Sequence, residues 1–195
     1  PVVVAGGRLR GELVLDGATL QRVRLTRCPV AGGRWRGVSV LESQLGEPEE
    51  RLDAVGLDLS GAALTEAHFE KADLDRAILA DADLTGAFFA LATLRGAVLA
   101  GARLEGAIAV QADFEGADLR GASLERVNLA GARLAGARLE GAQLAGVVFN
   151  RTDVRGADLR GVELPGLEPE AVTGVEGSLA GTALPGARLP GLNAA

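Results

Sequence analysis

ADFEGADLRGASLERVNLAGARLAGARLEG, residues 112–141, repeats one five-residue pattern without interruption. Leu or Phe stands at every fifth position, and the residue two places before it is Ala or Val. The same frame runs from Leu59 to Leu164, where 20 of 22 central positions hold Leu or Phe. The chain therefore consists largely of a five-residue repeat, small-x-large-x-x, whose last residue is often Gly.

A period of five matches neither common element of secondary structure. A helix returns to one face after three, four and seven residues, and a strand alternates every two. The period is consistent with a chain that turns a corner once per repeat. The central residue and the small residue two places earlier then both face inward, as in a strand. Glycine at the last position suits the bend, and a fixed short period is typical of a solenoid.

Several repeats resemble a known family. Ala-Asp-Leu-Thr-Gly at 82–86, Ala-Asp-Phe-Glu-Gly at 112–116 and Ala-Asp-Leu-Arg-Gly at 117–121 and 157–161 are similar to the repeat of the pentapeptide repeat proteins. The resemblance implies an all-β fold, a right-handed quadrilateral β-helix with twenty residues per coil. About eight coils are expected, stacked at roughly 4.8 Å.

Residues twenty apart should then stack on one another. Phe69, Phe89 and Phe149 fall in one inner column, and Phe114 falls in the column of the next side. Grouped phenylalanines can stack offset along a column. The alternative is that the four fell in this arrangement by chance.

Breaks in the repeat divide the chain into four parts. Residues 1–45 repeat less cleanly, with bulkier and β-branched residues. Leu45 and Leu59 are fourteen residues apart, which is not a multiple of five, so 46–54 is predicted to project as a loop. Residues 55–166 form the regular β-helix. Residues 167–195 contain several prolines and are interpreted as an end cap or a dimer contact.

Composition narrows the class of protein. Acidic residues number 26 and basic residues 20, for a net charge of −6, and aromatic content is only 3%. An acidic chain with few aromatic side chains is not expected to bind nucleic acid directly. A single cysteine rules out an internal disulfide, and no apolar run of 18 residues exists, so no membrane span is expected. We expect a cytoplasmic protein.

The chain offers no catalytic constellation. His68 is the only histidine, so a histidine-based triad or metal cluster cannot be assembled. It stands at an outward position, where a plain surface residue is expected. No phosphate-binding loop motif is present. We therefore expect no enzyme activity, no catalytic residue, no metal and no cofactor.

Acidic residues are the first candidate for a binding site, because loops on a rigid scaffold often carry function. The aspartate that precedes the central residue also belongs to the repeat, and aspartate commonly bonds nearby backbone in turns. These residues are therefore either a recognition surface or part of the fold. The loop candidates are Glu47, Glu49, Glu50 and Asp53, and the surface candidates are Glu66, Glu70, Asp73, Asp75, Asp81, Asp83, Asp113 and Asp118.

An apolar patch is the second candidate. Phe88, Ile108 and Val148 occupy outward positions of one column, with Leu91 and Val110 close by. Exposed together, they would form a contact site. The alternative is a local shift of register that turns Ile108 or Val110 inward.

Two functions follow. Pentapeptide repeat proteins that protect topoisomerases imitate duplex DNA, so the resemblance implies binding to a type II topoisomerase, DNA gyrase or topoisomerase IV, through the acidic residues. The alternative is a structural or adaptor solenoid that binds another protein through its side faces. The resemblance also implies a homodimer through an end cap.

Overall fold

The chain forms a right-handed quadrilateral β-helix, as predicted, in the computed structural model. The structure describes residues 2–5, 14–21, 23–26, 30–41, 44–45 and 52–162. Among them, no helix is present. The chain winds in one direction, so every coil lies parallel to the next.

Five short strands form the first coils. Strand β1 is Val2–Ala5, β2 is Thr19–Gln21, β3 is Val23–Thr26, β4 is Ser39–Leu41 and β5 is Gln44–Leu45. Strands β1, β3 and β5 form one parallel sheet, and β2 pairs with β4 in another. The spacing is twenty residues from β2 to β4 and from β3 to β5, which is one coil.

From Leu52 onward, each repeat contributes one bridging residue, the residue just before the central position. These residues point outward and pair with their counterparts twenty residues away, so they form four columns, one on each face. Face A holds 53, 73, 93, 113, 133 and 153; face B also includes N-terminal members and holds 14, 34, 58, 78, 98, 118, 138 and 158; face C likewise holds 19, 39, 63, 83, 103, 123 and 143; face D holds 68, 88, 108, 128 and 148. Face B has eight levels, in agreement with the expected eight coils.

The core is a set of inner columns that run the length of the helix. Ala72, Leu74, Ala97 and Leu99 are all 0% exposed. Rings of Phe69 and Phe89 stack with centroids 5.3 Å apart and planes inclined by 10°. This stacking confirms that Phe69 and Phe89 lie in one inner column. The residue two places before each central position is also buried; it is Ala in most repeats, with Leu57 and Val127 among the exceptions.

Each corner is a four-residue turn. The N–H of Ala122 donates to the carbonyl oxygen of Leu119 at 3.1 Å, and Gly121 between them has φ +63°. A positive φ at this position is the mark of a type II turn, and glycine adopts it without steric penalty. The repeat therefore ends in glycine at most corners because the turn requires this backbone conformation.

Hydrogen bonds satisfy every backbone N–H of the repeat 117–121. Ala117 N–H donates within a turn, Asp118 N–H donates to the preceding coil, and the N–H groups of Leu119 and Gly121 donate to the following coil. The fifth N–H, that of Arg120, donates to the Asp118 carboxylate at 3.3 Å. The aspartate before the central residue therefore has a structural role, because it supplies the acceptor for the one N–H of the repeat that no carbonyl oxygen accepts.

The break in register consists of four additional residues. Leu25 pairs with Leu45 at a spacing of twenty, but Arg34 pairs with Asp58 and Ser39 with Ala63 at twenty-four. The four additional residues therefore fall between Leu45 and Leu52.

The predicted loop 46–54 extends too far toward the C terminus, because its last three residues belong to the coil. Leu52 is buried, Asp53 pairs with Asp73 on face A, and Ala54 is 0% exposed at a central position. All three belong to the coil, because the frame of Leu59 extends backward through Ala54. Asp53 is therefore not a loop residue, although its side chain is exposed.

Other predictions fall outside the described residues. Glu47, Glu49 and Glu50 lie there, as does the predicted end cap or dimer contact at 167–195.

We predict that Leu119→Ala lowers the free energy of unfolding by about 2–5 kcal/mol, because it removes a side chain that is 1% exposed and leaves a cavity. Denaturant unfolding measures this change. Arg120→Ala is the neighbouring control and should cost little, since its ion pair with Asp118 is exposed. Equal midpoints for Leu119→Ala and wild type would contradict the inward assignment.

Candidate functional site

Acidic side chains are concentrated in the two coils 52–91. These coils contain eight acidic and two basic residues, whereas 92–162 contains eight acidic and nine basic residues. We call the eight carboxylates the acidic band. Its members are Asp53, Asp58, Glu66, Glu70, Asp73, Asp75, Asp81 and Asp83.

The acidic band encircles the helix. Asp53 and Asp73 lie on face A, Asp58 on face B and Asp83 on face C. Glu70 lies beside face D, where it contacts His68 Nδ1 at 3.1 Å. The structure thus brings most of the predicted acidic residues into two neighbouring coils, but distributes them over all four sides.

Corner strain is also concentrated here. Glu66, Lys71, Arg76 and Asp81 are the four corners of the coil 62–81, and all have φ between 56° and 60°. A side chain in this left-handed conformation costs roughly 1–2 kcal/mol. Every other set of four successive corners between residues 52 and 151 includes at least one glycine. This coil therefore presents four charged side chains at its corners at some expense in stability.

Many aspartates on the faces bond the backbone. Asp83 Oδ1 accepts from the N–H of Thr85 at 3.1 Å and from its hydroxyl at 2.7 Å. Asp73 accepts from the N–H of Asp75 at 3.3 Å and from the Thr93 hydroxyl at 3.2 Å. Each of these two aspartates accepts a backbone N–H at its own corner, so the fold alone accounts for its presence.

Asp113 and Asp118 lie outside the acidic band and are paired with arginines. Asp113 contacts Arg95 at 2.8 Å and Arg133 at 3.2 Å. Asp118 contacts Arg120 at 2.6 Å. The predicted acidic surface is therefore not continuous, because arginines neutralise it beyond residue 91.

Asp58 is a residue that the sequence analysis missed as a site candidate. It is 7% exposed, accepts from the Ser60 hydroxyl at 2.6 Å and pairs with Arg36 at 2.6 Å. Arg95 and Asp113 are eighteen residues apart, whereas Arg36 and Asp58 are twenty-two apart. The difference equals the four additional residues, so this ion pair joins the coils on either side of the break.

Hydrogen bonds lower the pKa of several of these carboxyl groups. The Arg120 guanidinium, which donates to Asp118, keeps the pKa of that carboxyl below its usual value, although partial burial opposes the shift. Arg155 and Arg160 lower the pKa of Asp153 and Asp158 in the same way. These aspartates are held in the charged state by their fold contacts.

Face D is different in chemistry from the other faces. Residues 87–91, 107–111 and 127–131 contain no Asp, Glu, Lys or Arg, and Arg151 at the corner is the one charged residue of 147–151. Over the same coils, each of the other faces carries both acidic and basic residues. Leu91 is 50% exposed, and Ile108 and Val148 are each 39% exposed, while Phe88 and Val110 are half-buried. We call this surface the apolar face.

The proposed shift of register on this face does not occur. Ile108 pairs with Phe88 and Asn128 on the outside, and Ala109 is 0% exposed at the central position. His68 is more than a plain surface residue, because its ring stacks on Phe88 with centroids 4.6 Å apart. The apolar column is thus exposed, and His68 covers one end of it.

We predict that Asp118 contributes to loss of stability in acid. A pKa lowered in the folded state means that the unfolded chain binds the proton more readily. The stabilisation by Asp118 is present above pH 3.8, the pKa of this carboxyl in the unfolded chain. It is lost as the pH falls through the lower pKa of the folded state. Asp118→Asn should therefore flatten the fall in unfolding free energy below about pH 4.

Thermal unfolding between pH 6 and pH 2 measures the difference. Asparagine keeps the corner, since Asn128 Oδ1 accepts from the Ala130 N–H at 3.1 Å in the same geometry. An unchanged pH dependence in Asp118→Asn would refute the prediction.

No group of residues suited to hold a metal ion occurs among the described residues. Within the same part of the chain, no helix is long and apolar enough to span a membrane.

Two solved structures share the fold with this chain, and a third is similar to it in sequence. Two trypsin-treated variants of QnrB1, a plasmid-mediated fluoroquinolone resistance protein, are each 20% identical to this chain. One has a TM-score of 0.57 and covers 96% of this chain and 91% of its own; the other has 0.58, 94% and 89%. HetL, a pentapeptide repeat protein involved in heterocyst differentiation regulation from the cyanobacterium Nostoc, is 28% identical, with a TM-score of 0.24 and coverage of 91% and 87%.

No curated protein matches the chain. The family described as pentapeptide repeats matches in 8 copies, at residues 55–89, 89–126, 97–134 and 122–161. These matches cover more than half of the chain and coincide with the regular coils. The chain belongs to the pentapeptide repeat family.

Proposed function

We propose that this chain is a non-enzymatic protein that binds a type II topoisomerase, DNA gyrase or topoisomerase IV, through its acidic band. The observation that carries the proposal is charge density. Two coils span about 10 Å, and a duplex DNA segment of that length carries about six negative charges. The coils 52–91 carry eight acidic and two basic residues, which is the same net charge over the same length, and Asp58 and Asp83 of the band pair with Arg36 and Arg103 from neighbouring coils.

The strained corners of coil 62–81 support this location. Backbone strain of this kind is common at functional sites, where the surrounding structure holds it in place. Glu66 and Asp81 occupy two of these corners, with φ 56° each. Glycine there would remove the strain but also remove the carboxylates.

The proposed imitation of DNA is local. Beyond residue 91, eight acidic and nine basic residues nearly cancel, and ion pairs such as Arg133 with Glu115 at 2.8 Å use carboxylates that could otherwise face a partner. The contact would therefore be limited to one end of the column. It would not run along the whole rod.

The partner itself comes from the family resemblance. The similar structures of QnrB1 are described as those of a fluoroquinolone resistance protein. A protein that occupies the DNA site of a topoisomerase would reduce supercoiling or relieve poisoning by such a drug. The proposal places the protein in the cytoplasm with that enzyme.

Supercoiling by purified gyrase, with and without a fluoroquinolone, tests the proposal. Wild-type protein at micromolar concentration should inhibit supercoiling or rescue it from the drug. Glu66→Gln combined with Asp81→Asn should raise the concentration needed by roughly threefold to tenfold, because charged contacts govern association. Raised salt should weaken the effect.

The matched control is Glu115→Gln combined with Glu140→Gln, which removes the same charge outside the acidic band. Glu115 and Glu140 are each about half exposed. This control should behave as wild type. No effect of wild-type protein on gyrase or topoisomerase IV, or equal losses in both double variants, would reject the proposal.

A second candidate is an adaptor that binds a different protein through a side face. The apolar face favours it, since exposed apolar columns mark contact sites.

A further inference from the structure

We draw no further inference here: the strongest candidate, the apolar face formed by the outward column of Phe88, Ile108 and Val148 with Leu91 beside it, carries none because nothing in the structure shows what covers it.

Discussion

The whole column depends on hydrogen bonds that its backbone N–H groups make between coils. The coils lack the local i→i−4 hydrogen bonds of an α-helix, so their N–H groups must find carbonyl oxygens one coil away or within a corner. In the repeat 117–121, four N–H groups do so. The fifth donates to the aspartate before the central leucine. The corner glycine, the aspartate and the central leucine of the repeat therefore all serve a coil whose backbone N–H groups must be paired.

This constraint changes how the acidic residues are understood. An aspartate on a face can be present for the corner alone, and Asp113 and Asp118 also pair with arginines. Residues at corners, by contrast, have no such role, because glycine suits that position better. The turn therefore does not account for the four charged corners Glu66, Lys71, Arg76 and Asp81, whereas it does account for many aspartates on the faces.

Much of the fold could be predicted from the sequence, since a strict period fixes which residues face inward. The inner column of Phe69 and Phe89 and the outward column of Ile108 both follow from counting in twenties. The end of the loop could not be placed, because Leu52 and Ala54 have no complete repeat before them. Ion pairs such as Arg36 with Asp58 were also missed, since they depend on the number of additional residues in the break.

The two candidate surfaces were predicted unequally. The exposure of Leu91, Ile108 and Val148 could be predicted because apolar residues at outward positions stand out against a regular repeat, and their role as a contact site stays a prediction. The extent of the acidic surface could not be predicted, because charge in a sequence does not reveal which arginine approaches which carboxylate. The sequence shows where acidic residues outnumber basic ones, but only the structure shows which carboxylates, such as Asp113 and Asp118, are paired with arginines.

Amide hydrogen exchange, measured by NMR residue by residue, tests the account most directly. The account predicts that the N–H groups of Leu119 and Gly121, which donate to the next coil, exchange only with global unfolding. Arg120, bonded to the Asp118 side chain, should exchange more slowly than Ala100, which follows Val98 and whose N–H has no acceptor among the described residues. Exchange at Leu119 as fast as at Ala100 would contradict the ladder on which the structure depends.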